Sequence, residues 1–179
     1  MAMVVKIIYD ITPQMVEYTG DKLPILGDFL VSDDCISTID RGIIWLKDGL
    51  LNGFRGGCVG GNLYGIYEDD GKIKVERDFD DPEDENLKFS TSPERMLEIL
   101  IEWEKILKMD PWPAEILIEQ ENDDSKVTFQ IKEAPVGTES NKERKREYYT
   151  LLNKQRNTSK IKAYKLENGI LTSLSEEIE

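Results

Sequence analysis

At 179 residues the chain is long enough to bury one ordinary hydrophobic core without covalent staples. Its formal net charge of -13, from 23 basic and 36 acidic side chains, opposes binding to a nucleic-acid backbone or an anionic membrane surface. Histidine is absent, which removes the commonest general acid/base, the commonest metal ligand and the usual partner of a serine or cysteine nucleophile.

The longest apolar runs, such as Met96 to Ile101, are broken by charge and fall short of the roughly 20 residues a membrane helix needs, so no membrane insertion is expected. Cys35 and Cys58 lack a CxxC spacing and a neighbouring histidine, and no apolar signal sequence accompanies them, which predicts reduced, inert thiols in a cytoplasmic protein. The 39% hydrophobic content is arranged in periodic segments, as in a folded rather than a disordered chain.

In chain order, Val4 to Tyr9 is short and β-branched and predicts a strand closed by Thr12-Pro13. Gln14 to Asp40 is weakly patterned, with a short helix expected near Met15 to Tyr18 and irregular structure after it. Asp48-Gly49, Asp70-Gly71 and Asn168-Gly169 can each supply the positive φ angles of a two-residue hairpin turn. The first is expected to join Ile43–Leu46 to Leu50-Leu51, and the second Leu63–Tyr67 to Ile73–Glu76. Thr91-Ser92-Pro93-Glu94 combines a capping hydroxyl, an early proline and a glutamate, and predicts a helix running to about Met109. Along it, Met96, Leu97, Leu100, Trp103 and Ile106 form an apolar side, and Asp110-Pro111-Trp112-Pro113 stops it. Glu115 to Lys132 reads as another hairpin, because Val127, Phe129 and Ile131 alternate with polar residues beyond a turn at 122–125.

These elements predict an α+β fold: an antiparallel sheet built from hairpins with one long amphipathic helix packed on a face. Composition shifts near 134–137. Residues 1–141 carry 14 basic and 30 acidic side chains, whereas Lys142 to Lys165 holds nine basic and two acidic ones. The expected organisation is an acidic core over 1–133 and a basic helix-hairpin appendage over 134–179, docked on that core, with its helix at Lys142–Lys154. The basic stretch is expected to dock intramolecularly or to make a homodimer, in preference to binding nucleic acid directly.

The glycine-rich segment 53–62 resembles an anion-cradling loop but lacks the terminal lysine and serine or threonine of a nucleotide loop and the following helix of a dinucleotide fingerprint, so it is read as a connection between hairpins. The acidic run Asp78, Asp80, Asp81, Glu83, Asp84 and Glu85 lacks calcium-loop spacing and has Pro82 in its middle, so no metal is assigned. It is either a solvated loop or a partner-docking surface, which Asp69, Asp70, Asp123 and Asp124 would extend if the hairpins point the same way. Trp112, between two prolines, either closes the core or anchors a partner. No cofactor is assigned and no catalytic constellation stands out; with 36 acidic residues, carboxylate pairs arise by chance.

Size, acidity, the α+β reading and the run from Leu87 to Leu97 followed by the Glu115–Glu133 hairpin together resemble the immunity proteins of bacterial polymorphic-toxin and contact-dependent inhibition systems. The resemblance implies a small cytoplasmic inhibitor, not an enzyme, that binds and neutralises a cognate basic toxin domain, a nuclease being the natural target. It carries over no individual functional residue, and the basic C-terminal stretch departs from a simple toxin plug. Two other readings share the charge pattern: a DNA-mimicking regulator, which needs a long regular stripe of carboxylates, and a carboxylate-based enzyme or small-molecule binding domain, which needs a pocket.

Overall fold

The computed structural model describes residues 3–8, 15–19, 25–78, 89–121, 126–158, 163–167 and 170–174. The chain divides into two compact units, Met1–Thr138 and Glu139–Glu179.

The first unit is an α+β assembly in which the strands form two antiparallel sheets rather than one. In the first sheet, β1 (Met3–Ile8) lies between β2 (Met15–Thr19) and β7 (Glu115–Glu121), and β8 (Lys126–Lys132) pairs with β7. The second sheet is a meander of β3 (Cys58–Gly60), β4 (Tyr64–Asp69), β5 (Lys72–Arg77) and β6 (Phe89–Thr91). Among the described residues the helices of this unit are α1 (Ile25–Val31), α2 (Asp33–Ile44) and α3 (Pro93–Leu107).

The register shows how period-two patterning fills the core. Ile7 opposes Ile116, and Ile118 opposes Phe129, so these side chains share the covered face of the first sheet. Ile66, Val75 and Phe89 are likewise opposite one another in the second sheet. The helices join both apolar faces into one cluster that includes Leu26, Phe29, Leu30, Leu46, Met96, Leu100 and Trp103. Helix α3 carries the link to the first sheet, where Trp103 stacks on Phe129 with ring centroids 6.1 Å apart and Arg95 Nη2 donates to the Val127 carbonyl. A second tie is ionic: Arg77 of β5 pairs with Asp28 of α1 at 3.3 Å, both side chains being only 11% exposed.

The region 14–52 departs from the sequence reading. Met15–Thr19 is a strand, not a helix, and the stretch expected to be irregular contains α1 and α2. Ser32 caps α2, its hydroxyl accepting from the Cys35 amide, and Asp33 and Asp34 occupy the first turn, where carboxylates favour the helix dipole. The Asp48-Gly49 hairpin does not form. Instead α2 runs into a wide π-type turn over Trp45–Gly49 and a tight turn over Leu50–Asn52, and Gly53, at φ +96°, ends the helical path. Burial of Cys35, Ile39, Gly42, Leu46 and Leu50 explains the outcome: their spacing is helical, and the apolar face outweighs the turn propensity of one dipeptide.

The other elements lie close to expectation. The Asp70-Gly71 turn forms, with φ of +50° and +76°. Ser92, rather than Thr91, caps α3 by accepting from the Arg95 amide at 3.1 Å, with Pro93 in the first turn; the helix ends at Leu107. The hairpin of β7 and β8 is formed, and its tip at 122–125 lies outside the described residues.

In the second unit, α4 (Asn141–Thr158) precedes the antiparallel pair β9 (Ala163–Glu167) and β10 (Ile170–Leu174), whose Asn168-Gly169 tip lies outside the described residues. The helix starts one residue before the expected Lys142 and extends past Lys154. It is strongly polar, and Tyr149 and Leu151 are exposed. Among the described residues no helix is long and apolar enough to cross a membrane.

Candidate functional site

The glycine-rich segment between α2 and β4 does hold anions, and they belong to the protein itself. Gly56 N–H donates to Glu68 Oε2 at 2.6 Å, and Gly71 N–H donates to Oε1 of the same carboxylate at 2.7 Å, tying the glycine loop to the β4–β5 tip. Trp45 lies against Gly57, where an added Cβ would approach Nε1 to 3.0 Å, and its indole N–H donates to the Gly56 carbonyl at 3.3 Å.

Farther along, three consecutive amides converge on Asp34. Asn62 N–H donates to Oδ1 at 3.1 Å, while Leu63 and Tyr64 N–H donate to Oδ2 at 2.9 Å each. The Leu63 and Tyr64 amides foremost, with Asn62 adding less, hold the Asp34 carboxyl below the usual carboxylate range. Gly61 is required beside them, because a Cβ there would sit 1.8 Å from Asp34 Oδ1. These internal carboxylates occupy the amides that an external phosphate would need.

With the loop fixed in this way, a cavity of about 350 Å³ opens along β3 and β4. It is lined by Arg41 from the last turn of α2, by 58–61, by Tyr64–Tyr67, and by Glu76 and Asp78. Gly60 opposes Gly65, and Gly65 opposes Glu76, so one cross-strand row has no side chain before the glutamate. In the neighbouring row Cys58 opposes Tyr67, which places the tyrosine ring and Glu76 on the face turned away from the core. Helix α2 crosses close to β3 and β4 at Gly42, where an added Cβ would meet Leu100 Cδ1 at 3.1 Å and Val59 Cγ1 at 3.9 Å; this approach brings Arg41 to the cavity.

Arg41, Glu76 and Asp78 form no ion pair with another described residue. Their charges are therefore uncommitted within the described structure, unlike those of Arg77 and Glu115. Glu115 lies between Lys6 at 3.6 Å and Lys132 at 3.9 Å.

The residues nominated from sequence separate into groups. Asp69 and Asp70 are at the β4–β5 tip, whereas Asp78 follows the other end of β5, a strand length of roughly 20 Å away. The described members of the proposed acidic surface are thus not gathered into one patch. Asp69 is also engaged by Lys74, whose ammonium it holds above the usual lysine range by hydrogen bonding. Asp78 alone of these three lines the cavity, and the chain continues from it into the acidic run. Asp80, Asp81, Glu83, Asp84, Glu85, Asp123 and Asp124 lie outside the described residues. Trp112 is half-buried and donates its indole N–H to the Leu107 carbonyl at 3.2 Å, satisfying an end group of α3.

Arg41, Tyr67 and Glu76 were not singled out in the sequence. Tyr67 and Glu76 belong to a hairpin whose register was readable from Asp70-Gly71, but Arg41 lay in a segment not recognised as helical. Among the described residues no group of three or more cysteine or carboxylate side chains is arranged to hold a metal ion. Comparison with protein-family models, curated proteins and solved structures gives no match.

Proposed function

We propose that the chain is an immunity-type protein inhibitor, cytoplasmic and without catalytic chemistry of its own, that binds a basic toxin domain and covers its active site. A nuclease is the favoured class of target, because a cleft that holds phosphates must carry positive potential. The observation that carries this reading is the uncommitted pair Glu76 and Asp78 beside an open cavity, leading directly into the sequence run from Asp80 to Glu85. Carboxylates already paired inside a fold have little to offer a partner; these two retain that capacity.

The separation of Asp69 and Asp70 from Asp78 moves the centre of the proposed contact away from the hairpin tip and toward the cavity. Trp112, with its N–H spent on α3, is a weaker candidate for a partner anchor. A DNA-mimicking surface receives less support, because it requires a regular stripe of free carboxylates and Asp69 is engaged by Lys74. The cavity itself supports small-molecule binding as a second reading.

The test is purification with a candidate basic toxin domain, followed by titration of its nuclease activity. One-to-one loss of activity is expected. Charge reversal at Asp80, Asp81, Asp84 and Glu85 should weaken binding while preserving the melting profile, since charge substitutions within a polar run usually change stability little. Full inhibition by the folded charge-reversal protein would remove this run from the contact surface.

A further inference from the structure

We infer that the cavity along β3 and β4 is a receptor for one arginine side chain of a basic protein partner. This deepens the proposed function and rests on it for the identity of the partner, but the recognition chemistry can be tested without one.

Three features select a guanidinium. Gly60 and Gly65 oppose each other along the cavity. A Cβ at Gly60 would run into the Tyr64 carbonyl oxygen at 2.4 Å, so the two strands close tightly there, and Gly65 adds no side chain to the lining, which leaves a floor of bare backbone for a flat group. Tyr67 lines the cavity from the adjacent row, and an aromatic ring there attracts planar cations. Glu76 and Asp78, two residues apart at the end of β5, supply carboxylate acceptors that no other described ion pair consumes. A guanidinium has five N–H donors in a fixed plane and can engage both carboxylates while stacking; an ammonium is a compact, strongly hydrated charge that gains little from the floor or ring.

Arg41 completes the recognition by limiting it. Its guanidinium disfavours a second cation at its end of the cavity and offers donors to a carbonyl or carboxylate of the chain that carries the inserted arginine. The cavity therefore fits one arginine within a polypeptide better than a polycation. Its size, about 350 Å³, accommodates such a side chain and part of its backbone.

The experiment is a titration of the isotopically labelled full chain with N-acetyl-arginine amide, followed by amide chemical shifts, with N-acetyl-lysine amide as the matched probe. The arginine probe should move the amides of 58–67 and 76–78 in a saturable manner, and the lysine probe should bind at least several-fold more weakly. Glu76→Gln should weaken arginine binding about tenfold, as expected for loss of a charge-assisted contact. Gly65→Val should suppress it by raising the floor, and Asp70→Asn at the distant tip should leave it unchanged. Glu76→Gln changes an exposed side chain, so it keeps the test decisive even where Gly65→Val does not fold.

Equal responses to both probes, or an arginine response unaffected by Glu76→Gln, would overturn the inference. That result leaves the inhibitor reading intact if the toxin titration still succeeds. Selective arginine binding without toxin inhibition would instead support the receptor and reject the inhibitor.

Discussion

Replacing Trp103 separates two contributions made by one side chain. Trp103 is fully buried in α3 and stacks on Phe129 of β8, while its indole N–H has no hydrogen-bond partner among the described residues. An indole buries about 200 Å², and at about 25 cal/mol per Å² its removal forfeits about 5 kcal/mol. Large-to-small substitutions at such sites cost about 3–5 kcal/mol, so Trp103→Ala should lower the melting temperature by about 10–15 °C in a protein of this size. Trp103→Phe retains a ring against Phe129 and deletes the unpaired donor. Burying such a donor costs about 1–3 kcal/mol, which offsets much of the lost ring volume; the phenylalanine variant should remain within about 1 kcal/mol of the parent. Thermal melts followed by circular dichroism, with urea midpoints as a second measure, decide the matter. A phenylalanine variant as unstable as the alanine one would refute the reasoning, by showing that the N–H or the full indole outline is needed.

Three further outcomes are expected. The folded-state pKa of Asp34 is depressed, so its stabilising contribution is complete above the unfolded-state value of about 4 and is lost as pH falls through the folded value. Urea midpoints of Asp34→Asn should therefore be lower than the parent's at pH 7 and should fall less between pH 7 and pH 3; parallel curves would dismiss the three-amide clamp. Burial pushes the Cys35 thiol above its ordinary range, whereas Cys58 is exposed, so a disulfide reagent should modify one thiol rapidly in the native protein and both in denaturant. Loss of the rapid phase in Cys58→Ser checks the assignment. If the basic segment Lys142–Lys165 drives self-association, the weight-average mass in sedimentation should fall between low and high salt, and Lys142→Glu with Lys145→Glu should reproduce the high-salt value. Salt-independent sedimentation would count against a charge-driven dimer.

What the sequence revealed depended on how local the governing interaction was. The β4–β5 hairpin was readable because Asp70-Gly71 fixes its turn within two residues, and α3 because Ser92, Pro93 and an apolar periodicity coincide. The same rule misled at Asp48-Gly49. There the dipeptide proposed a turn, while burial of Leu46 and Leu50 against helices and strands distant in sequence kept the path helical. Helix α2 opens on Ser32-Asp33-Asp34, residue types that serve equally well in a polar turn, so the cap alone does not announce a helix.

The candidate site was less legible for a related reason. Glu76 and Asp78 are ordinary acidic residues until cross-strand pairing places glycines beside one of them and a helix brings Arg41 to the other side. Asp34 showed nothing unusual in sequence, since the amides that receive it lie 28 to 30 residues farther on. Charge counting located acidic segments but could not distinguish Asp69, which is paired with Lys74, from Asp78, which is not.

The strand order of the first sheet also constrains when the protein can mature. β1 pairs with β7, so residues near the start of the chain wait for a neighbour more than 100 positions away, while the second sheet assembles wholly from the intervening segment. During synthesis, the β1–β2 ribbon therefore presents an unfilled lateral position until residues 115–121 emerge from the ribosome. The late hairpin acts as a closing seam, and a nascent chain stopped before it would display a strand edge open to the wrong neighbour.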